Sequence, residues 1–243
     1  MKQHLPNFIT LCNLFFGCIA VIFAVMNQLE LAILFVFFGI VCDFLDGLAA
    51  RLLKVSSEIG VQLDSLADLV TSGLVPGIVM FQLLHMSQQG GWNIDLFGMH
   101  TSVGLVPLLG FLITLASAYR LANFNVDENQ VSSFRGLPTP ANAILILSLP
   151  LILIHHDNAK LHHLILSPWF LIGLTLLSTY LLNARITLFA LKFKGFGFVA
   201  NKAKYLFLIG SCALLLIFGF AGIPLVILLY IGSSLLFLHK IER

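Results

Sequence analysis

Residues 31–68 read LAILFVFFGIVCDFLDGLAARLLKVSSEIGVQLDSLAD. The opening stretch, Leu31–Cys42, carries no charge. Carboxylates then enter at Asp43 and Asp46, a polar turn follows over Leu52–Ile59 with Lys54, Ser56, Ser57 and Glu58, and two more carboxylates, Asp64 and Asp68, lead into the next apolar run. This pattern suits lipid better than water. The whole chain agrees: of 243 residues, 59% are hydrophobic and 10% charged, where soluble domains carry about 45–50% and about 25%. A mean hydropathy of +1.00 excludes a disordered chain, a secreted disulfide scaffold and a cytosolic enzyme. The apolar runs are mostly near the ~20 residues a helix needs to cross a bilayer. Barrel strands would be about ten residues of alternating polarity. The expected fold is all-α, a polytopic transmembrane helical bundle.

Eight spans are expected, at Asn7–Met26, Leu31–Leu53, Gly60–Met86, Thr101–Phe124, Ala141–His155, His163–Ile186, Tyr205–Phe220 and Ile223–Leu238. The fifth, seventh and eighth are short for a bilayer. Gly222-Ile223-Pro224 reads as a tight turn that makes the last two a helical hairpin. The first lacks a small-x-small cleavage site, so it reads as a span and not a signal peptide. An even count puts both termini on one side. That side collects every Lys and Arg except Lys160: Lys2, Arg51, Lys54, Arg120, Arg135, Arg185, Lys192, Lys194, Lys202, Lys204, Lys240 and Arg243. The positive-inside bias makes it cytoplasmic. No repeat or linker divides the chain, so residues 1–243 are expected to form one integral membrane domain. Cys12, Cys18, Cys42 and Cys212 all lie in apolar runs and read as small packed hydrophobes.

Four of the seven aspartates, Asp43, Asp46, Asp64 and Asp68, fall within 26 residues in or beside spans. A carboxylate at the bilayer centre costs about 2.5–3.5 kcal/mol on insertion scales. Pairing with Arg51 and Lys54 fails on stoichiometry, because Glu58 adds a fifth acid. A bound divalent cation, or two, balances the charge better. At ~100° per residue, Asp46, Ala50, Asp43, Gly47 and Arg51 share one helical face, and Gly60, Asp64 and Asp68 at i, i+4, i+8 share another. An antiparallel hairpin brings the two acidic faces together near its cytoplasmic end. Hard oxygen ligands suit magnesium, manganese or calcium. Gly47, Ala50 and Gly60 either let helices pack closely or leave room for a substrate; beside acids that need metal, room is the better account.

The run Asp43-x2-Asp46-Gly47-x2-Ala50-Arg51-x8-Gly60-x3-Asp64-x3-Asp68 resembles, at all eight fixed positions, the signature of the CDP-alcohol phosphatidyltransferase family. The resemblance implies a cytoplasm-facing polar cavity, a CDP-linked lipid donor, and two divalent cations (Mg²⁺ or Mn²⁺) held by Asp43, Asp46, Asp64 and Asp68. It implies Asp68 as the general base, and contacts from Gly47, Ala50, Arg51 and Gly60 to the CDP moiety. Leu5–Leu14, Ser117–Val126 and Phe134–Ala141 are similar to the bacterial phosphatidylserine synthase branch of that family. Asn123 stands where that branch often has a second arginine. The branch implies CDP-diacylglycerol and L-serine as substrates, phosphatidylserine and CMP as products, and the bacterial inner membrane as location.

Other features have plainer readings beside functional ones. Pro6 and Asn7 can cap the first helix, whereas Asn13 sits deeper in hydrocarbon with no evident partner. Gly136–Pro140 can be a rigid loop. Arg120 is either a topology anchor or, through bidentate bonding, a ligand for the serine carboxylate. Arg185, Lys192, Lys194, Lys202 and Lys204 fit topology and anionic lipid heads better than a pyrophosphate site. His155, His156, His162 and His163, on the side away from the aspartates, read as interfacial residues before a metal site. No nucleic-acid partner is expected, membrane lipids are, and a homodimer is an open alternative to a monomer. Two rivals stand: a sister enzyme with glycerol 3-phosphate or an inositol phosphate as acceptor, and a cation-coupled transporter.

Overall fold

The computed structural model describes residues 4–55, 57–89, 104–126, 134–188 and 202–238. The described residues are helical apart from loops and one two-residue ribbon. In chain order the elements are α1 (His4–Val25), α2 (Leu29–Leu53), α3 (Glu58–Asp68), a π-helical turn (Leu69–Leu74), α4 (Val75–Gln89), a 3₁₀ turn (Pro107–Gly110), α5 (Phe111–Val126), β1 (Phe134–Arg135), α6 (Thr139–His155), α7 (Ala159–Ile165), α8 (Pro168–Asn183), β2 (Thr187–Leu188), α9 (Lys202–Phe218), a second 3₁₀ turn (Gly219–Ala221) and α10 (Gly222–Leu238). Lys2, Lys192, Lys194, Lys240 and Arg243 lie outside the described residues, as does the start of the expected fourth span at 101–103.

Among the described residues, five stretches are long and apolar enough to cross a membrane: His4–Val25, Leu29–Leu53, Glu58–Gln89, Pro107–Val126 and Lys204–Leu235. Glu58–Gln89 is the central one, with 78% of its apolar window buried against 28% and 22% for α1 and α2. Val75, Val79, Met80, Leu83 and Leu84 of α4 are sealed among Ala20 and Ala24 of α1, Ala32 and Val36 of α2, and Ile146 and Leu149 of α6. Outward, large side chains such as Phe8, Phe15, Phe37, Trp169 and Leu216 stand exposed. In lipid that exposure carries no hydrophobic penalty, and helices associate through packing and polar contacts instead.

Three expectations are refined. The expected span His163–Ile186 is not one rod: α7 and α8 meet at 59°. The cause is Pro168, whose ring supplies no N–H and pushes Ser167 (φ −70°, ψ 123°) out of helical geometry. Lys204–Leu235 folds back on itself. The Phe207 and Tyr230 rings lie 5.7 Å apart, and a Cβ on Gly210 would stand 3.2 Å from Leu229 Cδ2. The turn falls at Gly219, φ +55°, slightly before the expected Gly222–Pro224. Finally, Cys18 and Cys212 are exposed instead of packed; all four cysteines are unpaired.

The ribbon β1–β2 joins the loop before α6 to the loop after α8, with Phe134 opposite Leu188 and Arg135 opposite Thr187. Gly136 N donates to Ile186 O at 2.9 Å, and Leu137 N to Leu181 O at 2.8 Å. Gly136 has φ +73°, and a Cβ there would run into the Leu181 and Leu182 carbonyls, so this corner needs glycine.

Candidate active site

Helix α2 ends where Lys54 takes left-handed geometry, with its N–H turned to Ala50 O and Arg51 O. Helix α3 starts at Ser57, whose hydroxyl accepts from Gly60 N at 3.0 Å. These two caps reverse the chain within the polar turn expected from sequence. Helix α1 packs against both arms, so α1, α2 and α3 enclose a cleft of ≈ 170 Å³. Pro6, Asn7 and Thr10 line it from α1, Asp46, Gly47 and Ala50 from α2, and Gly60, Val61 and Asp64 from α3.

Where Asp64 lines the cleft, the two acidic faces meet. Asp43, Asp64 and Asp68 each present an oxygen within 4.8 Å of the others. Asp64 Oδ1 is buried with no hydrogen-bond partner among the described residues. A buried carboxylate oxygen without a donor is costly. Three hard oxygens so placed, one of them orphaned, fit a divalent cation. Asp46 stands next to this group but is held separately: Thr10 Oγ1 donates to its Oδ2 at 2.5 Å. Asp68 Oδ1 accepts from Asn13 Nδ2 at 3.3 Å.

The residues expected to face a nucleotide differ among themselves. A Cβ on Gly47 would approach nothing nearer than Arg51 Nη2 at 3.8 Å, so Gly47 borders open space. A Cβ on Gly60 would lie 2.9 Å from Ser57 Oγ and 3.0 Å from Asn7 Oδ1, so Gly60 also lets α3 approach α1. Arg51 is exposed at the rim, with Nε bonded to Gly47 O at 2.8 Å. Arg120 is only 9% exposed. Its Nε has no hydrogen-bond partner among the described residues, and it lies within electrostatic range of Asp68 and Tyr230. Asn125, at the same end of α5, accepts from Ser65 Oγ at 3.0 Å and donates to Gln62 Oε1 at 3.1 Å, tying α5 to α3. The histidines are elsewhere: His155 Nε2 is 3.5 Å from Glu30 Oε1, and His162 Nε2 donates to His156 O at 2.8 Å.

Sequence reasoning missed what α1 contributes. Asn7 abuts Gly60, Thr10 bonds Asp46 and Asn13 bonds Asp68. The available signal was a polar residue every third position in an otherwise apolar helix, which is the near-neighbour spacing of one helical face.

Comparison with known proteins agrees with this geometry. The family model for CDP-alcohol phosphatidyltransferase matches residues 3–181. A CDP-diacylglycerol–serine O-phosphatidyltransferase of Bacillus subtilis (strain 168) is 30% identical over 142 residues, covering 57% of this chain and 70% of that protein. Proteins of the same name from Helicobacter pylori (strain J99) and Saccharomyces cerevisiae are 33% and 32% identical over 144 and 162 residues. They cover 58% and 60% of this chain, which spans about half of their length (55% and 53%).

Proposed function

We propose that this chain, which belongs to the CDP-alcohol phosphatidyltransferase family, transfers the phosphatidyl group of CDP-diacylglycerol to the hydroxyl of L-serine and releases CMP. The observation that carries the reading is the convergence of Asp43, Asp64 and Asp68 at the end of a cleft in a bundle of apolar helices. The relatives' names supply the donor and acceptor.

The donor's acyl chains stay in lipid, where the outer faces of α1 and α2 are apolar. Its cytidine and pyrophosphate enter the cleft. Gly47, Ala50 and Gly60 keep the walls low, and Arg51 offers positive charge at the rim. Asp43, Asp46, Asp64 and Asp68 would hold two divalent cations, Mg²⁺ or Mn²⁺. Cations there supply neutralisation of the pyrophosphate and of the departing phosphate. Arg120, buried and close to Asp68, binds the serine carboxylate. The serine hydroxyl oxygen forms a bond to the lipid-side phosphorus, and the bond from that phosphorus to the oxygen of CMP breaks. The hydroxyl proton passes to the Asp68 carboxylate, which must lie within hydrogen-bond reach of it. Orientation of the two substrates against one another supplies much of the rate.

The reading extends to topology. With α9 and α10 as separate crossings, α1, α2, α3–α4, α5, α6, α8, α9 and α10 make eight, in one domain with both termini and the cleft on the cytoplasmic side of a bacterial inner membrane. Arg51, Lys54 and Arg120 at the cleft end support that orientation.

The test is CMP release by purified protein given CDP-diacylglycerol and Mn²⁺, with and without L-serine. Serine-dependent release with phosphatidylserine as product is the expected result. Release that responds only to glycerol 3-phosphate or inositol phosphate would keep the reaction and replace the acceptor. No release with any alcohol, from folded protein, would reject the reading and reopen that of a cation-coupled transporter.

A further inference from the structure

Behind the carboxylates lies a buried polar pair for which the reaction as described has no use. Asn13 of α1 and Thr71 of the π-helical turn are both 0% exposed. Thr71 Oγ1 donates to Asn13 Oδ1 at 2.8 Å and also faces the Asn13 carbonyl at 3.3 Å. Asn13 Nδ2 in turn donates to Asp68 Oδ1 at 3.3 Å. The amide's orientation is thereby determined. A carboxylate needs a donor, so Nδ2 faces Asp68, and Oδ1 is left to face the Thr71 hydroxyl.

The surroundings are built around this pair. A Cβ on Gly39 would lie 2.6 Å from Thr71 Cγ2 and 2.8 Å from Asn13 Oδ1, and one on Gly17 would lie 3.3 Å from Thr71 N. Neither neighbouring helix tolerates a side chain where Thr71 enters. Interior glycine weakens a helix, and both helices accept it. The helix carrying Asp68 also widens into a π turn immediately after it, over Leu69–Leu74. Such turns are frequent at functional sites.

We propose that Asn13 and Thr71 are positioning residues for the transfer: a buried hydroxyl–amide relay that fixes one oxygen of Asp68 and so sets the direction in which the other faces the acceptor hydroxyl. The proposal rests on the reading of Asp68 as general base. Its competitor is helix glue, since buried polar contacts between membrane helices also hold bundles together. Glue would show in stability. Positioning shows in turnover, because a misdirected base lowers the rate without weakening donor binding.

The experiment uses the full chain in detergent or lipid discs, with Thr71→Val, Thr71→Ser and Asn13→Leu beside wild type. CMP release is measured at varied CDP-diacylglycerol, L-serine and Mn²⁺, per mole of folded protein, alongside thermal unfolding. Thr71→Val keeps the shape and removes the hydroxyl; it is expected to lower kcat about tenfold with KM for CDP-diacylglycerol little changed. Thr71→Ser restores the hydroxyl and recovers most of that loss. Asn13→Leu removes the bond to a charged group and is expected to lower kcat about a hundredfold. Wild-type kcat in Thr71→Val, or equal losses in the Val and Ser variants, would overturn the relay while leaving the functional reading intact. A wild-type protein that releases no CMP would overturn that reading and the relay with it.

Discussion

The two ends of the bundle treat polar side chains in opposite ways. At the aspartate end, α1 reaches across to two other helices: Thr10 bonds Asp46, 36 residues away, and Asn13 bonds Asp68, 55 residues away. At the far end the buried Gln82 donates to the Ala24 and Val25 carbonyls at 3.0 and 3.2 Å, while the contacts of titratable side chains are short or exposed. His162 bonds a carbonyl six residues back, and His155 meets Glu30 with both side chains substantially exposed, at 40% and 64%. Titratable groups at the far end complete helix ends and meet the interface. Those at the aspartate end are bonded from one helix to another inside the bundle. Both ends contain several titratable residues in little space, so density of charge does not mark a site. What marks it is that its carboxylates are held within the bundle by side chains of another helix.

This contrast can be tested in graded steps. The largest effect is expected from Asp64→Asn, which removes a carboxylate from the three-membered group. Transfer should fall at least about a thousandfold, roughly 4 kcal/mol of transition-state stabilisation, while CMP release by wild type under the same conditions continues. A folded variant with near wild-type turnover would mean that the group serves another purpose. Thr10→Val comes next. It removes the side-chain donor from buried Asp46, and losing a hydrogen bond to a charged group is worth about 1.5–3 kcal/mol. Turnover should drop by about tenfold or more, and the Mn²⁺ concentration needed for half-activation should rise. Gly60→Ala should act more mildly: the new methyl presses on Ser57 Oγ and Asn7 Oδ1, both of which can shift. An increase of about threefold in KM for CDP-diacylglycerol with unchanged kcat is the expected pattern. Glu30→Gln should do least. An exposed pair contributes about 0–1 kcal/mol, so unfolding should shift slightly and kinetics not at all. A kinetic effect there as large as that of Thr10→Val would erase the distinction between the ends.

How much of this was legible in the sequence depended on whether the physics was local. The apolar runs and the hairpin signals at Leu52–Ile59 and Gly222–Pro224 are local, and the structure follows both closely. The acidic faces were also legible, because i, i+4, i+8 spacing fixes Asp64 and Asp68 on one side of α3 whatever surrounds them. That they would meet Asp43 followed from the short turn. The role of α1 was not accessible in the same way. Thr10 and Asn13 gain their meaning from partners 36 and 55 residues away, and nothing in α1 alone says which helix it faces. The break at Ser167–Pro168 was readable from the proline, but an apolar stretch of expected spanning length concealed it. The π turn had no sequence mark, since Leu69-Val70-Thr71-Ser72-Gly73-Leu74 suits an ordinary helix equally well.

That turn takes up one residue more than ordinary helical pitch would hold. Before it, Asp64 lines the cleft and Asp68 joins it in the aspartate group. After it, the Gly73 carbonyl accepts from Thr114 of α5 at 3.1 Å, and a Cβ on Gly73 would touch Ser117 at 3.1 Å. Exchanging one side chain in the turn alters one contact. Drawing the same residues into ordinary pitch would rotate all of α4 by about 100° relative to the aspartates, swinging its buried face out of the core and its outer face in. The extra residue therefore acts as a phase shifter, letting one continuous rod show chemistry on one bearing and packing on another.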